Sequence, residues 1–135
     1  MSAIDLAVAR LKPEEGYRPK KYIDTTGNET IGYGFNIGAG LTEPEAAALL
    51  QAQVTTRAAA ISTWWFQGLD DVRASVVLDL AFNLGVSGLF EFHDMIAAIQ
   101  QKDWQKAHDA LLDSKAAKQL PTRYNALAQS LLTGQ

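Results

Sequence analysis

The first apolar residues of the chain recur at the spacing of one helical face, at Ile4, Ala7, Val8 and Leu11. Ser2 is a typical N-cap residue for the helix that this spacing predicts. Pro13 lacks a backbone N–H and disfavours helical geometry at the residue before it, so we expect this helix to end near residue 11 or 12. Two adjacent carboxylates, Glu14 and Glu15, would then lie just beyond its C-terminus.

Short strand patterns follow this helix. We predict strands over Lys20–Ile23 and Thr30–Tyr33, because β-branched and aromatic residues concentrate there. The Gly27-Asn28 pair between them favours a turn. A third short strand is predicted near Phe35–Ile37.

Helical patterns return after residue 41. Thr42 and Glu45, with Pro44 between them, have the spacing of a capping box, and the helix that follows should run to about Trp65. The next helix begins at residue 70 or 71, and Gly85 should end it. Three further helices are predicted around Phe92–Ile99, after the cap residue Asp103, and from Pro121 to near Thr133.

These elements predict an α+β fold in a single domain, residues 1–135. A small sheet lobe, a hairpin or three strands over about residues 15–40, would lie beside a mainly helical lobe. The helical lobe would comprise about residues 42–135 and the N-terminal helix. Two such lobes leave a cleft between them, and residues 15–36 would line one of its walls.

Composition excludes several kinds of site. The chain of 135 residues has a net charge of −3, which gives no general case for binding nucleic acid. It has no cysteine and only His93 and His108, so we expect neither a metal site nor a cofactor. The N-terminus lacks the pattern of a secretory signal, and no run approaches the roughly 18 apolar residues that span a bilayer. We therefore expect synthesis in the cytoplasm without stable membrane insertion.

The polar residues of the sheet segment have the chemistry for cleaving a glycosidic bond. That reaction needs one carboxyl to protonate the leaving oxygen and a second carboxylate in a different environment. Glu15 suits the acid role, because a helix C-terminus and burial both favour a protonated carboxyl. Asp24, at the mouth of the turn, would stay ionised, and the Thr30 hydroxyl could hold a water beside it.

On local sequence alone, a purely structural interpretation of the same residues is favoured. Asp is common at the first position of a turn, and a Glu after a helix is often a solvated charge, as we expect for Glu14. Spacing alone does not choose between Glu14 and Glu15.

The run from Glu15 to Gly34 resembles the active-site segment of the phage-type lysozymes of the T-even family, glycoside hydrolase family 24. The pattern of that family is Glu, eight residues, Asp, five residues, Thr, with Gly after the Glu and Ile-Gly-x-Gly after the Thr. Glu15, Asp24 and Thr30 fit this spacing without a gap, whereas Glu14 does not. Weaker similarity to the family continues over three helical segments, at Ala81–Gly85, Ile99–Trp104 and Leu120–Arg123.

The resemblance implies a role for six residues. Glu15 would be the general acid, Asp24 the carboxylate that activates water, and Thr30 a residue that holds this water. Arg123 would bind Glu15 by a charge-assisted hydrogen bond. The two remaining residues, which would orient Glu15 or contact the glycan or its peptide stem, are Asn83 and Gly34.

The resemblance also implies an activity and a setting. The chain would be an inverting muramidase and endolysin that cuts the β-1,4 bond between N-acetylmuramic acid and N-acetylglucosamine in peptidoglycan and so lyses bacterial cells. We expect a monomer without metal or cofactor, of phage, prophage or bacterial origin, that reaches the cell wall through a holin-type pore. One departure from the family is Phe35, which stands where many members have a histidine.

Two other functions would fit such a fold. A lytic transglycosylase uses a single glutamate and releases an anhydro product, and Asp24 and Thr30 argue against it. A non-catalytic glycan-binding domain would have no need of all four polar residues, Glu15, Asp24, Thr30 and Arg123.

Two further groups of residues allow two interpretations each. Core packing is the favoured role of an aromatic run that could instead stack on sugar, Trp64, Trp65 and Phe66. A basic group could attract stem carboxylates or could form an ordinary solvated face; its members are Arg10, Lys12, Arg18, Lys20 and Lys21.

Overall fold

The computed structural model describes residues 2–135, and the chain divides into two compact units, residues 1–46 and 47–135. The first unit contains helix α1 (Ala3–Glu15), strands β1 (Arg18–Ile23), β2 (Glu29–Gly32) and β3 (Phe35–Asn36), and a 3₁₀ turn (Ile37–Ala39). Helix α2 (Glu43–Ala60) crosses the boundary. The second unit contains α3 (Trp64–Gln67), α4 (Asp71–Phe90), α5 (His93–Gln100), α6 (Trp104–Leu112), α7 (Lys115–Gln119) and α8 (Pro121–Thr133). The predicted α+β class is confirmed, whereas the single domain stays a prediction.

Helix α1 begins as predicted and ends later than predicted. Ser2 is the N-cap, and its hydroxyl accepts a hydrogen bond from the Asp5 N–H at 3.1 Å while the Asp5 carboxylate accepts from the Ser2 N–H at 3.0 Å. The helix continues through Pro13, so the predicted end at residue 11 or 12 is wrong. Because Pro13 lies in the last turn, its missing N–H removes a single bond, and Gly16 closes the helix by donating to the Lys12 carbonyl at 2.9 Å. Glu15 is therefore the last helical residue.

The sheet is antiparallel with strand order β1-β2-β3, which confirms all three predicted strands. Thr30 of β2 pairs with Tyr22 of β1 on one side and with Asn36 of β3 on the other. The β1–β2 turn is closed by the Asp24 N–H, which donates to the Asn28 carbonyl at 2.9 Å. Gly27 in this turn has φ 87°, a conformation that L side chains rarely adopt. Thr30 consequently lies in the middle of the sheet, two residues after the turn.

Helix α2 has the predicted start and a different end. The capping box is present, since Thr42 Oγ accepts from the Glu45 N–H at 3.3 Å and Glu45 Oε1 accepts from the Thr42 N–H at 3.0 Å. The helix ends at Ala60 rather than near Trp65. Thr63 adopts extended geometry at φ −115° and ψ 156°, which separates the short helix α3 from α2, and its hydroxyl makes no capping bond. The aromatic run therefore belongs to a separate turn of helix.

The core of the second unit is built around α4. Its buried side chains are Val76, Val77, Leu80, Ala81 and Leu89. Helix α8 contributes buried Tyr124, Ala128 and Leu131, and α5 and α6 complete the core. The predicted end of α4 at Gly85 is only partly right: Gly85 leaves helical geometry at φ 78°, but the helix resumes and runs to Phe90. A break therefore separates the Asn83 segment from the last turn of the helix.

Two residues of the aromatic run are core residues and the third is not. Trp65 is 6% exposed, and Phe66 packs against the core with its ring edge-on to Trp65 at a centroid distance of 6.3 Å. Trp64 is 69% exposed, so the favoured core role is wrong for this residue.

Helix α4 is long and apolar enough to cross a bilayer by length and composition, with a mean hydropathy of 1.4 over its most apolar window. The same composition is expected of a core helix, and Val77, Leu80 and Ala81 are fully buried inside the second unit. Membrane insertion is therefore not needed to explain the apolar character of this helix, and its absence stays a prediction.

Candidate active site

The Glu15 carboxyl lies directly against the backbone of Gly34. A Cβ atom placed on Gly34 would be 2.5 Å from Glu15 Oε2 and 3.0 Å from its Cδ, so only glycine leaves room for the carboxyl there. Gly34 has φ 78°, which also favours glycine. Glu15 is exposed, whereas the sequence predicted a buried carboxyl. The contact brings Glu15 and Gly34 together, and the role of Gly34 in orienting Glu15 stays a prediction.

An aromatic pair beside these two residues joins the same segments. Tyr17 follows α1 and Tyr33 precedes Gly34, and their rings pack at a centroid distance of 5.6 Å. The pair holds the end of α1 next to the β2–β3 turn. Because Glu15 ends α1 and Gly34 lies in this turn, the same packing brings Glu15 and Gly34 together.

Asp24 organises the β1–β2 turn through one of its two carboxylate oxygens. Oδ1 accepts hydrogen bonds from the Thr26 N–H at 2.9 Å, the Thr26 hydroxyl at 2.9 Å and the Asn28 N–H at 2.8 Å. The bond from the Asn28 N–H, followed by that from the Thr26 hydroxyl, lowers the pKa of Asp24, because all three donors favour the charged form. Asp24 is thus held ionised, as predicted, and no group within residues 2–135 donates to Oδ2.

Thr30 is the one buried polar residue among residues 2–135, with 2% of its surface exposed. Its hydroxyl donates to the Asn28 carbonyl at 2.9 Å, which leaves the oxygen lone pairs to accept a hydrogen bond. Its direct partner across the sheet is Tyr22, so Thr30 is the diagonal neighbour of Asp24 rather than its opposite. Diagonal neighbours on one face of a sheet lie roughly 7–8 Å apart, with their Cβ atoms somewhat closer, a gap that one water molecule can bridge.

Arg123 forms an ion pair within the second unit. Its Nη2 and Nε donate to Asp79 Oδ1 at 2.6 and 3.2 Å, and both side chains are about two-fifths exposed. Arginine has five donors, so Nη1 stays available for a second carboxylate. The bond from Arg123 to Glu15 stays a prediction.

Asn83 is also fixed from α8. Its side-chain oxygen accepts a hydrogen bond at 2.8 Å from the hydroxyl of Tyr124, a side chain that is fully buried. Burial raises the pKa of Tyr124, so its hydroxyl is a donor over the physiological range. The Asn83 amide nitrogen is left to donate elsewhere, and contact with a glycan or peptide stem stays a prediction.

Sequence reasoning missed Asp79 and Tyr124. Asp79 and Asn83 are four residues apart and share one face of α4, while Arg123 and Tyr124 are adjacent on α8. The helical spacing of Asp79 and Asn83 was the available signal that both side chains point the same way. No local pattern indicated that their partners lie more than 40 residues away on α8.

Part of the basic group is already paired. Lys21 bonds to Glu29 at 2.8 Å, an interaction that raises the pKa of Lys21, and the Arg18 guanidinium lies 3.9 Å from the centre of the Tyr22 ring. These contacts favour an ordinary solvated face as the interpretation of Lys21 and Arg18.

Phe35 is 61% exposed, and its apolar ring can form no ion pair in place of the family histidine. Within residues 2–135, no group of three or more acidic or histidine side chains could hold a metal ion.

Comparison with known proteins places all these residues in one matched region. The family model for phage lysozyme matches residues 12–128, which include Glu15, Asp24, Thr30, Asn83 and Arg123. The chain is 32% identical to the endolysin of Salmonella phage P22, over 82% of each chain. It is 24% identical to the probable T4-type lysozyme 1 of Dictyostelium discoideum, over 92% of each. It is also 27% identical to the pre-baseplate central spike protein Gp5 of Enterobacteria phage T4, over 92% of this chain but only 27% of that protein.

Proposed function

Because the chain belongs to the phage lysozyme family and is a glycoside hydrolase, we propose that it hydrolyses the β-1,4 bond between N-acetylmuramic acid and N-acetylglucosamine in peptidoglycan. The observation that carries this proposal is the difference between its two carboxyl groups. Glu15 ends a helix and lies against Gly34, whereas Asp24 accepts three hydrogen bonds on Oδ1. Two carboxyls in such different environments suit the separate acid and base roles of glycoside hydrolysis.

Glu15 acts as the general acid. Its carboxyl, at the C-terminus of α1, donates a proton to the leaving glycosidic oxygen. Gly34 fixes where the carboxyl can lie, because its missing side chain leaves the space that Glu15 Oε2 uses.

Asp24 acts as the general base through Oδ2. A water that donates one hydrogen bond to Asp24 Oδ2 and the other to Thr30 Oγ has its oxygen directed at the anomeric carbon. As the C–O bond breaks, the water attacks and Asp24 takes its proton, so the product has inverted configuration. The hydrogen bonds of Oδ1 keep Asp24 ionised, and that of Thr30 to Asn28 keeps its lone pairs free for this water.

The remaining predicted site residues position substrate or acid. Arg123 presents a guanidinium that Asp79 fixes from one side, and its remaining donors suit a charge-assisted bond to a carboxylate. Asn83 uses its amide nitrogen for the glycan or its peptide stem, while Tyr124 fixes its oxygen. In the cell, the protein acts as a monomer that is made in the host cytoplasm, passes a holin-type pore and cleaves the wall, with lysis as the result.

The test is mass spectrometry of soluble fragments released from purified Gram-negative peptidoglycan, with Glu15→Gln in parallel. We expect fragments that end in reducing N-acetylmuramic acid, at least about 10²-fold fewer with Glu15→Gln. Anhydro-muramyl ends would instead indicate a transglycosylase and would remove the base role of Asp24. No fragments from the unchanged protein would contradict the proposed activity.

A further inference from the structure

One cavity of the second unit gathers all three tryptophans of the chain. Its volume is about 470 Å³, and Trp64, Trp65 and Trp104 line it together with Arg73, Gln100 and Lys102. None of the six residues predicted for catalysis or substrate binding lines it. Its size falls within the range of small-molecule sites, which are typically aromatic with a few polar groups at the edge.

The floor of the cavity is rigid and electrically neutral. Arg73 is only 14% exposed, and its Nε and Nη2 donate to the carbonyls of Leu131 and Leu132 at 2.7 and 2.9 Å. Its Nη1 pairs with Asp70 at 3.0 Å, so the local charge is compensated. The guanidinium also stacks on Trp104 at 4.0 Å from the ring centre. At Arg73 a ligand therefore meets a fixed surface whose charge is compensated by Asp70.

Trp64 is the tryptophan with a ring available to a ligand. Trp65 is buried against Phe66, and Arg73 covers one face of Trp104. Trp64 is 69% exposed, and no aromatic or cationic partner contacts its ring within residues 2–135. A large apolar side chain left exposed beside a cavity is the feature that typically contacts a partner.

Two exposed polar side chains also line the cavity. Gln100 is the last residue of α5, and Lys102 lies in the turn after it. Lys102 has φ 57°, and its N–H donates to the Ile99 carbonyl at 3.0 Å, which fixes the turn that carries it. An amide and an ammonium group can bond to sugar hydroxyls and to an acetamido carbonyl.

We propose that this cavity is a second carbohydrate site, which holds an N-acetylated sugar of the glycan strand with one sugar face on Trp64 and its polar edge toward Gln100 and Lys102. The chemistry of the ligand follows from the neutral floor, the exposed aromatic ring and the polar edge. The identity of the glycan as peptidoglycan rests on the proposed function. Such a site would keep the enzyme on its polymer between cleavage events, adding avidity to binding at the catalytic residues.

The test follows the indole N–H signals of the three tryptophans by NMR, in the intact chain carrying Glu15→Gln so that ligand is not cleaved. The probe is a soluble β-1,4-linked tetramer of N-acetylglucosamine. We expect saturable shifts of the Trp64 and Trp104 signals. In the variant that also carries Trp64→Ala, the Trp104 signal serves as the reporter. The ligand concentration that half-saturates its shift should rise about tenfold.

Two matched variants separate stacking from folding. Trp64→Phe keeps an aromatic face and should stay within about threefold of the parent affinity. Leu49→Ala removes an exposed apolar side chain outside the cavity and should leave the titration unchanged. Absence of saturable shifts, or equal affinity with Trp64→Ala, would overturn the second site. If the unchanged protein cleaves peptidoglycan but either of these results is found, the second site is wrong and the proposed function stands. If the indole signals shift as expected but no peptidoglycan is cleaved, the second site stands and the proposed function is wrong.

Discussion

Residues 2–46 and residues 47–135 are stabilised in different ways. Every buried apolar side chain of the described chain lies between Ile61 and Leu131, in the second unit. Among residues 2–46 only Thr30 is buried, and the apolar residues of α1 are exposed. The second unit thus has a packed core, and the first unit depends on backbone pairing in its sheet and on polar side chains that bond to its backbone.

The polar contacts of the first unit include the candidate catalytic groups themselves. Asp24 Oδ1 holds the β1–β2 turn, and Thr30 bonds to the Asn28 carbonyl in the same turn. By contrast, the candidate residues of the second unit are each held by a hydrogen bond to another side chain. Tyr124 bonds to Asn83, and Asp79 bonds to Arg123. In the first unit, therefore, one side chain serves both structure and chemistry, and substitutions should separate the two roles.

The largest expected effect is on activity, from Asp24. Asp24→Asn keeps an oxygen that can accept from Thr26 and Asn28 but removes the base, so peptidoglycan cleavage should fall by about 10²–10⁴-fold with the turn intact. Asp24→Ala should lose the same activity and also the turn contacts. Turbidity assays on purified walls measure the first effect, and amide NMR signals of Thr26 and Asn28 the second. Near-normal cleavage by Asp24→Asn would exclude Asp24 as the base.

The next largest effect is on stability. It compares the loss in the free energy of unfolding when one leucine in a helix of each unit is replaced by alanine. Leu80 of α4 is fully buried, and Leu80→Ala should lower the free energy of unfolding by about 2–5 kcal/mol. Leu11 of α1 is 47% exposed, and Leu11→Ala should cost less than about 1 kcal/mol. Urea denaturation followed by circular dichroism gives both values. Equal losses would show that α1 is stabilised by apolar packing after all.

Local chemistry made the helix starts predictable. Ser2 and Thr42 each cap a helix through bonds to residues three positions away, so the pattern can be read from neighbours in the sequence. The helix end near Pro13 was misjudged for the opposite reason. Proline disfavours a helix locally, but the chain continues in helical geometry to Glu15, and only the fold determines that outcome. At Gly85 the local signal correctly indicated an interruption and missed the helical turn that follows it.

The candidate site shows the same division. The spacing of Glu15, Asp24 and Thr30 lies within one segment and could be recognised there. The bond of Arg123 to Asp79 joins residues 44 positions apart, and that of Tyr124 to Asn83 joins residues 41 apart. Only the packing of α8 against α4 brings these groups together, so no local pattern could have assigned them.

A smaller effect on activity should follow from closing the space beside Glu15. Gly34→Ala would place a Cβ 2.5 Å from Glu15 Oε2 and displace that carboxyl, so cleavage should fall by about ten- to hundredfold. Gly40→Ala is the matched control, since Gly40 also has positive φ (77°) but nothing within 4 Å of an added Cβ. Both variants carry the backbone strain, and only Gly34→Ala should lose activity in the wall assay. Equal losses would assign the effect to strain.

The smallest effect is a difference between the units in acid. Hydrogen bonds from Asn28 and Thr26 lower the pKa of Asp24 below that of the unfolded chain, about 3.9, so its stabilising contribution is complete above that pH and is lost as the pH falls through the folded pKa. Bonds from Ser2 and Thr42 lower the pKa of Asp5 and of Glu45 in the same way. Hydrogen bonds also lower the pKa of Asp70 and of Asp109 in the second unit, but that unit has a buried apolar core, whereas residues 2–46 have no buried apolar side chain, so the first unit should respond to acid first.

Amide NMR spectra recorded from pH about 6 to about 2 would detect this order. The Thr26 and Asn28 signals should move first, while the indole signals of Trp65 and Trp104 stay in place because the helical core has not yet opened. Asp24→Asn should abolish the early movement at Thr26 and Asn28. If the indole and turn signals moved together, the two units would unfold as one, and the contrast between a core-stabilised and a hydrogen-bonded unit would not extend to their stability in acid.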